Sequence, residues 1–174
     1  MNILIIGTIG SGKSSIGAVL AKILHMRLIE LDDMVLHHTG FKSIEAVYQN
    51  RISLWKECEL EISRDMSTQD NNIIVCGGGF VENELNITYF KEHSDSLRII
   101  YIHARPEMIA KRLHAVHKEL SSREITEKVN QLYARRDTLC RMYADTVIEN
   151  ENREVFEAAE EIVSFLHHKT SKKV

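Results

Sequence analysis

The sequence predicts an α/β fold in which a five-stranded parallel sheet is flanked by helices. Five short runs rich in β-branched and other apolar residues alternate along the chain with longer segments of helical periodicity. This alternation is the pattern of a parallel sheet with helices on both faces. The first run also passes directly into a glycine-rich turn, Gly7–Gly12, which opens onto a helical segment.

The predicted strands are short, and the first and third contain almost no polar residues. Such runs are typical of strands that are buried on both faces. The five predicted strands are Asn2–Ile6, Arg27–Glu30, Ile73–Cys76, Arg98–Ile102 and Asp145–Ile148.

The helices are predicted from apolar residues at helical spacing, supported by capping signals. Ser43 can cap the segment that follows Thr39-Gly40, and Pro106 stands where the first turn of a helix tolerates proline. The predicted helices are Lys13–His25, Asp32–His38, a long or broken segment over about 43–66, Glu107–Val116, Glu124–Tyr143 and Glu154–His168.

Length and composition indicate one domain, 1–174, with an ordinary core, since 44% of the 174 residues are hydrophobic. A net charge of −3 gives no reason to expect a nucleic acid or a membrane surface as partner. The three cysteines fit no metal-binding or disulfide spacing, and no apolar run is long enough for a membrane span or a signal peptide. We therefore expect free thiols, a cytoplasmic location, a small-molecule substrate and a monomer.

The turn after the first strand matches a phosphate-binding motif in full. The residues Gly7-Thr8-Ile9-Gly10-Ser11-Gly12-Lys13-Ser14 fit the pattern G-x-x-x-x-G-K-[ST]. In such a loop the backbone N–H groups hold phosphate oxygens, the lysine reaches the β- and γ-phosphates, and the serine hydroxyl binds Mg²⁺. The motif predicts ATP and Mg²⁺ as ligands, with a nucleotide site made by Gly10, Ser11, Gly12, Lys13, Ser14 and Ser15. A turn that only lets a strand and a helix pack is the alternative.

Two further groups of residues follow predicted strands. The run Glu30-Leu31-Asp32-Asp33 begins where the second strand should end, so its carboxylates can hold Mg²⁺ through water or orient a substrate hydroxyl. Gly77-Gly78-Gly79 follows the third strand, and three glycines in a row suggest a close approach of a ligand to bare backbone. The alternatives are an acid cluster that stabilises a helix N-terminus and a tight chain reversal.

Arginines on the fifth predicted helix, Arg135, Arg136 and Arg141, suit a substrate carboxylate or a transferring phosphate. An exposed helix face that pairs with Asp137 is the alternative reading of this cluster.

From Met1 to about Ile148 these motifs, in this order, resemble the shikimate kinase family, which has a P-loop kinase fold with a short lid. The resemblance rests on the phosphate-binding motif, on Leu-Asp-Asp-Met-Val ending in Thr39-Gly40, and on Ser43-Ile44. It continues through Trp55-Lys56 with Glu59, Cys76-Gly-Gly-Gly-Phe-Val81, Arg136 and Tyr143-Ala144-Asp145. It implies an ATP-dependent kinase that phosphorylates a hydroxyl of shikimate or of a similar small hydroxy acid.

The resemblance also implies roles for individual residues. Asp32 would hold the substrate hydroxyls and act as base beside Lys13, and Glu30 would help Ser14 to place Mg²⁺. The substrate site would lie against a helical segment over about 32–66 and comprise Asp32, Lys56, Gly77, Gly78, Gly79 and Arg136. The adenine would lie between Arg112 and the stretch Asn150–Arg153, from which Asn152 is the predicted contact. A lid over about 117–123 would close over the phosphates with Lys118 and Arg123.

Three departures from the family pattern concern the acceptor. The family has arginine where this chain has Lys56, and one residue is missing between Val47 and Trp55, which makes Arg51 the alternative cation. The lid also lacks the family's Arg-Pro-Leu sequence. A cytidylate-type nucleoside monophosphate kinase is the first alternative, because Tyr101-Ile-His-Ala-Arg-Pro-Glu and the arginine-rich helix suit that class as well. A nucleotide-binding regulatory module is the second, although a pure switch needs no acceptor pocket.

Overall fold

The computed structural model describes residues 1–44, 46–47, 51–118 and 121–170, and for residues 169 and 170 it describes the backbone alone. These residues contain a single five-stranded sheet. Every pairing within this sheet is parallel, and the strand order is β2-β3-β1-β4-β5. The predicted α/β fold is therefore confirmed. The strands are β1 (Asn2–Ile6), β2 (Arg27–Glu30), β3 (Asn72–Val75), β4 (Leu97–His103) and β5 (Thr146–Glu149).

Seven α-helices within the described residues pack around the sheet, and a short 3₁₀ turn, Phe80–Glu82, follows β3. The helices are α1 (Lys13–Leu24), α2 (Leu31–Thr39), α3 (Ile52–Ser67), α4 (Glu84–His93), α5 (Pro106–Val116), α6 (Ser122–Tyr143) and α7 (Val155–Thr170).

Alternate residues of the three central strands, β1, β3 and β4, enter two separate cores, as the two-residue period of a β-strand requires. Ile3 and Ile5 of β1 face α1 and α7, while Leu4 and Ile6 face the layer that contains α2, α3, α4 and α6. All five residues of β1 are buried, which explains why this strand reads as one continuous apolar run.

The loop that follows β1 leaves the sheet at its topological switch point. β1 pairs with β3 on one side and with β4 on the other, so the chain connections diverge from this strand. In open α/β sheets, ligands bind at such a point, outside the carboxyl ends of the strands. The phosphate-binding motif, the acids after β2 and the glycines after β3 all lie at this edge.

Two helices differ from the sequence prediction. Helix α4 was not predicted, because it buries only Asn86, Ile87 and Phe90 and so has too narrow an apolar face to give a clear period. Helix α6 begins at Ser122 rather than Glu124, because Ser121 and Glu124 form a reciprocal capping box. The segment over about 43–66, predicted as long or broken, is helical at residues 44, 46 and 47 and again over Ile52–Ser67, and residues 45 and 48–50 lie outside the described part.

Candidate active site

The loop from Gly7 to Gly12 has a shape that only glycine can adopt at its key positions. Gly7, Gly10 and Gly12 have φ angles of 148°, 77° and 98°, in a region that side chains disfavour. A Cβ on Gly7 would overlap the carbonyl oxygen of Ile102, and one on Gly12 would overlap Nδ2 of Asn150. The loop is therefore held closely by neighbouring parts of the chain as well as shaped by its own torsions.

Lys13 begins helix α1 and is buried beneath the loop. Its Nζ donates a hydrogen bond to the carbonyl oxygen of Thr8 at 2.9 Å. Burial lowers the pKa of the Lys13 ammonium, while the charge of Asp32 acts in the opposite direction. The ammonium thus lies inside the loop, on the side of the acid that the sequence singled out.

Arg112 and Asn150 fix the backbone of the loop from outside. The guanidinium of Arg112 donates to the carbonyl oxygens of Gly10, Ser11, Asn150 and Glu151, at distances of 2.7 to 3.2 Å. The Nδ2 of Asn150, which is buried, donates to the carbonyl oxygen of Ser11 at 2.7 Å. Helix α5 and the end of β5 are in this way tied to the same turn.

Asn152, the predicted nucleotide contact after β5, has a different environment from Asn150. It lines an open cavity together with His103, Arg105, Glu149, Glu151 and Arg153. The side chain from this stretch that contacts the loop is therefore Asn150, which lay within the predicted range but was not singled out.

Ser14 and Glu30, the two predicted magnesium-site residues, are hydrogen-bonded to each other. Ser14 Oγ donates to Glu30 Oε2 at 3.2 Å. Burial raises the pKa of the Glu30 carboxyl, and the bond from Ser14 partly offsets this. Ser15 is exposed in the first turn of α1.

Asp32 packs directly against the triple glycine. A Cβ on Gly77 would come closer to Oδ1 of Asp32 than the 3.0 Å that real Cβ atoms keep. Burial raises the pKa of the Asp32 carboxyl, and the nearby Lys13 ammonium counteracts this. A carboxylate with a raised pKa is a better proton acceptor at neutral pH than an exposed one.

Arg136 is buried beside the second glycine of the run. Its Nη1 lies 3.3 Å from the position of a Cβ on Gly78, and the same position is 3.2 Å from the backbone nitrogen of Ile9. Its Nε donates to Oε1 of Glu82 at 2.7 Å. The structure thus brings Asp32, Gly77, Gly78 and Arg136 together next to the phosphate-binding loop.

Glu59 is a buried carboxyl group near the same pocket, and its place in the sequence predicts no role for it. Burial raises its pKa to about 7, which the hydrogen bond from Asn86 at 3.0 Å only partly offsets. The charge of Asp32 raises this pKa further, and the charge of Lys56 lowers it. Lys56 itself is exposed on α3, and Arg51 is exposed where that helix begins.

The two lid cations lie away from these contacts. Lys118 is exposed in a turn, and Nε of Arg123 donates to Glu127 one turn further along α6. Among the interactions of the described side chains, neither cation is bonded to the phosphate-binding loop. Residues 119 and 120 of the predicted lid lie outside the described part.

No helix in the described ranges combines the length and the apolar character that crossing a bilayer requires.

Comparison with known proteins identifies a family. The family model described as shikimate kinase matches residues 9–167. A shikimate kinase of Dehalococcoides mccartyi is 29% identical over 162 residues, which cover 92% of this chain and 90% of that protein. One from Clostridium beijerinckii is 30% identical over 160 residues, covering 92% and 91% of the two chains.

Solved structures agree on the fold. The shikimate kinase from Acinetobacter baumannii in complex with shikimate has a TM-score of 0.86 at 20% identity, covering 99% of this chain and 95% of that one. Because the family model spans nearly the whole sequence and the fold is the same, the chain belongs to the shikimate kinase family.

Proposed function

We propose that this protein transfers the γ-phosphoryl group of ATP to a hydroxyl group of shikimate. One observation carries the proposal: beside the phosphate-binding loop, a partly buried acid and a buried arginine pack against glycine backbone, Asp32 against Gly77 and Arg136 against Gly78. A pocket with an acid at one end and a guanidinium at the other fits a small molecule that carries both hydroxyl and carboxylate groups. The family consists of ATP-dependent kinases that phosphorylate shikimate, so the donor and the acceptor agree with this pocket.

The loop fits the phosphates of a nucleotide. The hydroxyl groups of Thr8 and Ser11 are buried, and neither has a hydrogen-bond partner among the described residues. Buried polar groups normally have partners, and phosphate oxygens would supply them here. The N-terminus of α1, at Gly12, adds a favourable dipole for negative charge.

The residues that would hold Mg²⁺ are Ser14 and Glu30. Both supply oxygen atoms, the ligand type that Mg²⁺ prefers, and the hydrogen bond between them sets them side by side at the start of α1. When bound, the ion would neutralise charge on the phosphate oxygens. Glu30 would act through water, as the resemblance to the family implies.

The chain's own residues have separable tasks in the transfer. Lys13 lies buried within the loop, where its charge would stabilise the transferring group. Asp32 would accept the proton of the attacking hydroxyl and align its oxygen, and its raised pKa suits this task. Arg136 would hold the carboxylate of the acceptor, assisted by Lys56 from α3.

The organisation around this site is also part of the proposal. The chain would act as one domain, 1–174, with the substrate against the segment 32–66, and a lid over 117–123 would close to exclude water. Lys118 and Arg123 would reach the phosphates only on that closure. We also expect a monomer. The buried free thiols of Cys58, Cys76 and Cys140 suit a reducing compartment such as the cytoplasm.

A coupled assay of ADP formation tests the proposal, with shikimate and CMP offered side by side. We expect ATP consumption that depends on shikimate and no turnover of CMP. Turnover of CMP instead would favour a nucleoside monophosphate kinase. Nucleotide binding without any small acceptor, together with nucleotide-dependent binding to a protein, would favour a regulatory module.

A crystal structure with an ATP analogue and shikimate tests the acceptor site directly. We expect the carboxylate of shikimate to lie on Arg136 and a hydroxyl group on Asp32. If Lys56 does not reach that carboxylate, its contribution to the clamp is excluded.

A further inference from the structure

Glu82 lies in the 3₁₀ turn that follows the triple glycine and binds both neighbouring arginines of helix α6. Its Oε1 accepts the hydrogen bond from Nε of Arg136 at 2.7 Å, and its Oε2 lies 3.1 Å from Nη2 of Arg135. The side chains of Glu82 and Arg136 are only 12% and 10% exposed, whereas that of Arg135 is 67% exposed. One carboxylate is thus shared between a buried arginine and a surface arginine at the edge of the acceptor pocket.

The bond from Glu82 determines which edge of the Arg136 guanidinium is free. A guanidinium group presents its donors in a rigid planar fork. Because Nε is engaged by Glu82, the two terminal nitrogens remain for a ligand, and Nη1 already lies beside Gly78. Within the described part of the chain, Arg136 has no hydrogen bond besides the one to Glu82.

The charges in this cluster also limit the ligand. Two arginines and one glutamate leave a net charge of one positive unit, which a single carboxylate balances. A phosphate monoester carries a charge between about −1.5 and −2 at neutral pH, so part of its negative charge would remain unbalanced by this cluster. These three side chains alone thus match the charge of one carboxylate more closely than that of a phosphate monoester.

We propose that Glu82 is a positioning residue for the acceptor, which holds Arg136 by its Nε so that the terminal nitrogens meet a carboxylate over Gly78. Glu82 itself does not touch the acceptor. The proposal rests on the proposed function, because it takes the acceptor to be a carboxylic acid.

Kinetics of three variants test this role. Glu82→Ala removes both contacts, so we expect the KM for shikimate to rise roughly 10-fold or more, as loss of a charged hydrogen bond does, with the KM for ATP unchanged. Glu82→Gln should give an intermediate KM, because its amide oxygen still accepts from Nε. Glu84→Gln is the matched control, since Glu84 is exposed at the start of α4 and bonds neither arginine in the described contacts.

Three kinetic outcomes would contradict the proposal. An unchanged KM for shikimate in Glu82→Ala would show that Arg136 needs no support. A lower KM would show that Glu82 competes with the acceptor for Arg136. An equal rise in both KM values, together with a lower thermal midpoint, would show a purely structural role.

Crystal structures of the unliganded wild type and of Glu82→Ala separate this proposal from the choice of acceptor. We expect the guanidinium of Arg136 to lie over Gly78 in the wild type and to leave that position in the variant. If it keeps its position, Glu82 does not place it, whatever the protein phosphorylates. If it moves but the wild type does not turn over shikimate, the proposed acceptor is wrong while the positioning role stands.

Discussion

The carboxylate of Asp32 occupies the space that a side chain on Gly77 would need. A Cβ on Gly77 would lie under 3.0 Å from Oδ1 of Asp32, so the acid and the backbone of the glycine run are in direct contact. The two residues come from different strand ends, after β2 and after β3, which are adjacent in the sheet. The position of the proposed base thus depends on a glycine elsewhere in the chain.

Gly77→Ala should displace Asp32 and lower kcat. A displacement of about 1 Å at a reacting group can cost about 100-fold in rate, and we expect a loss of that order. The affinity for ATP should be retained, because Gly77 does not contact the phosphate-binding loop in the described contacts. Steady-state kinetics and calorimetric titration with Mg·ATP measure the two effects. Retention of full kcat would show that Asp32 has room to move without consequence.

Asp32→Asn should abolish turnover while leaving ATP binding intact. The amide preserves the shape of the side chain but cannot accept the proton of the attacking hydroxyl. Asp33→Asn is the matched control, because Asp33 is the exposed neighbour on the same helix turn. Normal turnover by Asp32→Asn would remove this residue from the mechanism.

Lys13→Ala should also abolish phosphoryl transfer, because it removes the buried charge beside the phosphates.

Glu59 should make stability depend on pH. Its pKa is raised from 4.5 to about 7, so the folded state binds a proton that the unfolded state has released between these values. The stability that protonated Glu59 contributes is fully present below pH 4.5 and is lost as the pH rises through 7. The free energy of unfolding should fall by up to about 3 kcal/mol over this range.

Urea unfolding of the wild type and of Glu59→Gln at pH 5 and pH 8 measures this effect. The variant should show a smaller loss of unfolding free energy between the two pH values, because its side chain does not titrate. Equal losses in the two proteins would place the titration on other groups.

Arg112→Lys should weaken ATP binding. A lysine has its donors on one atom and cannot bond the four carbonyl groups that the guanidinium spans. We expect the KM for ATP to rise by about 10-fold, with a smaller effect on the KM for shikimate. Lys111→Ala, at the exposed neighbouring position on α5, controls for loss of a charge from the helix. An unchanged KM for ATP would mean that Asn150 alone supports the loop.

The fold and the phosphate-binding loop could be predicted because their signals are local in sequence. The strand at residues 2–6 is buried on both faces and so is apolar throughout, and the loop that follows it needs glycine at defined torsions. Both requirements are written into consecutive residues. Helix α4 lacks such a local signal, because its only capping residue is Asn83 at the N-cap and its apolar face is narrow.

Residues that act through distant partners could not be predicted in the same way. In the sequence, Glu82 is one of several acids and lies between β3 and α4 with no local pattern that marks it. Only the packing of α6 shows that it binds Arg136. Asn150 and Asn152 are equivalent by composition, and the direction of the chain after β5 decides which one reaches Ser11. Glu59 occurs in a helix rich in acids, and its burial distinguishes it.

The bond from Asn150 to Ser11 has a consequence for the order of folding. The complete glycine motif lies within the first fourteen residues. Its backbone is hydrogen-bonded by the side-chain amide of Asn150, which reaches Ser11 only when β5 has docked on the sheet. Contacts between such remote parts of a chain form late, because the intervening segment must first be closed into a loop. A fragment that stops before β5 would therefore contain the motif but not a phosphate-binding loop able to hold the nucleotide. Binding of Mg·ATP would thus indicate that the whole sheet has assembled.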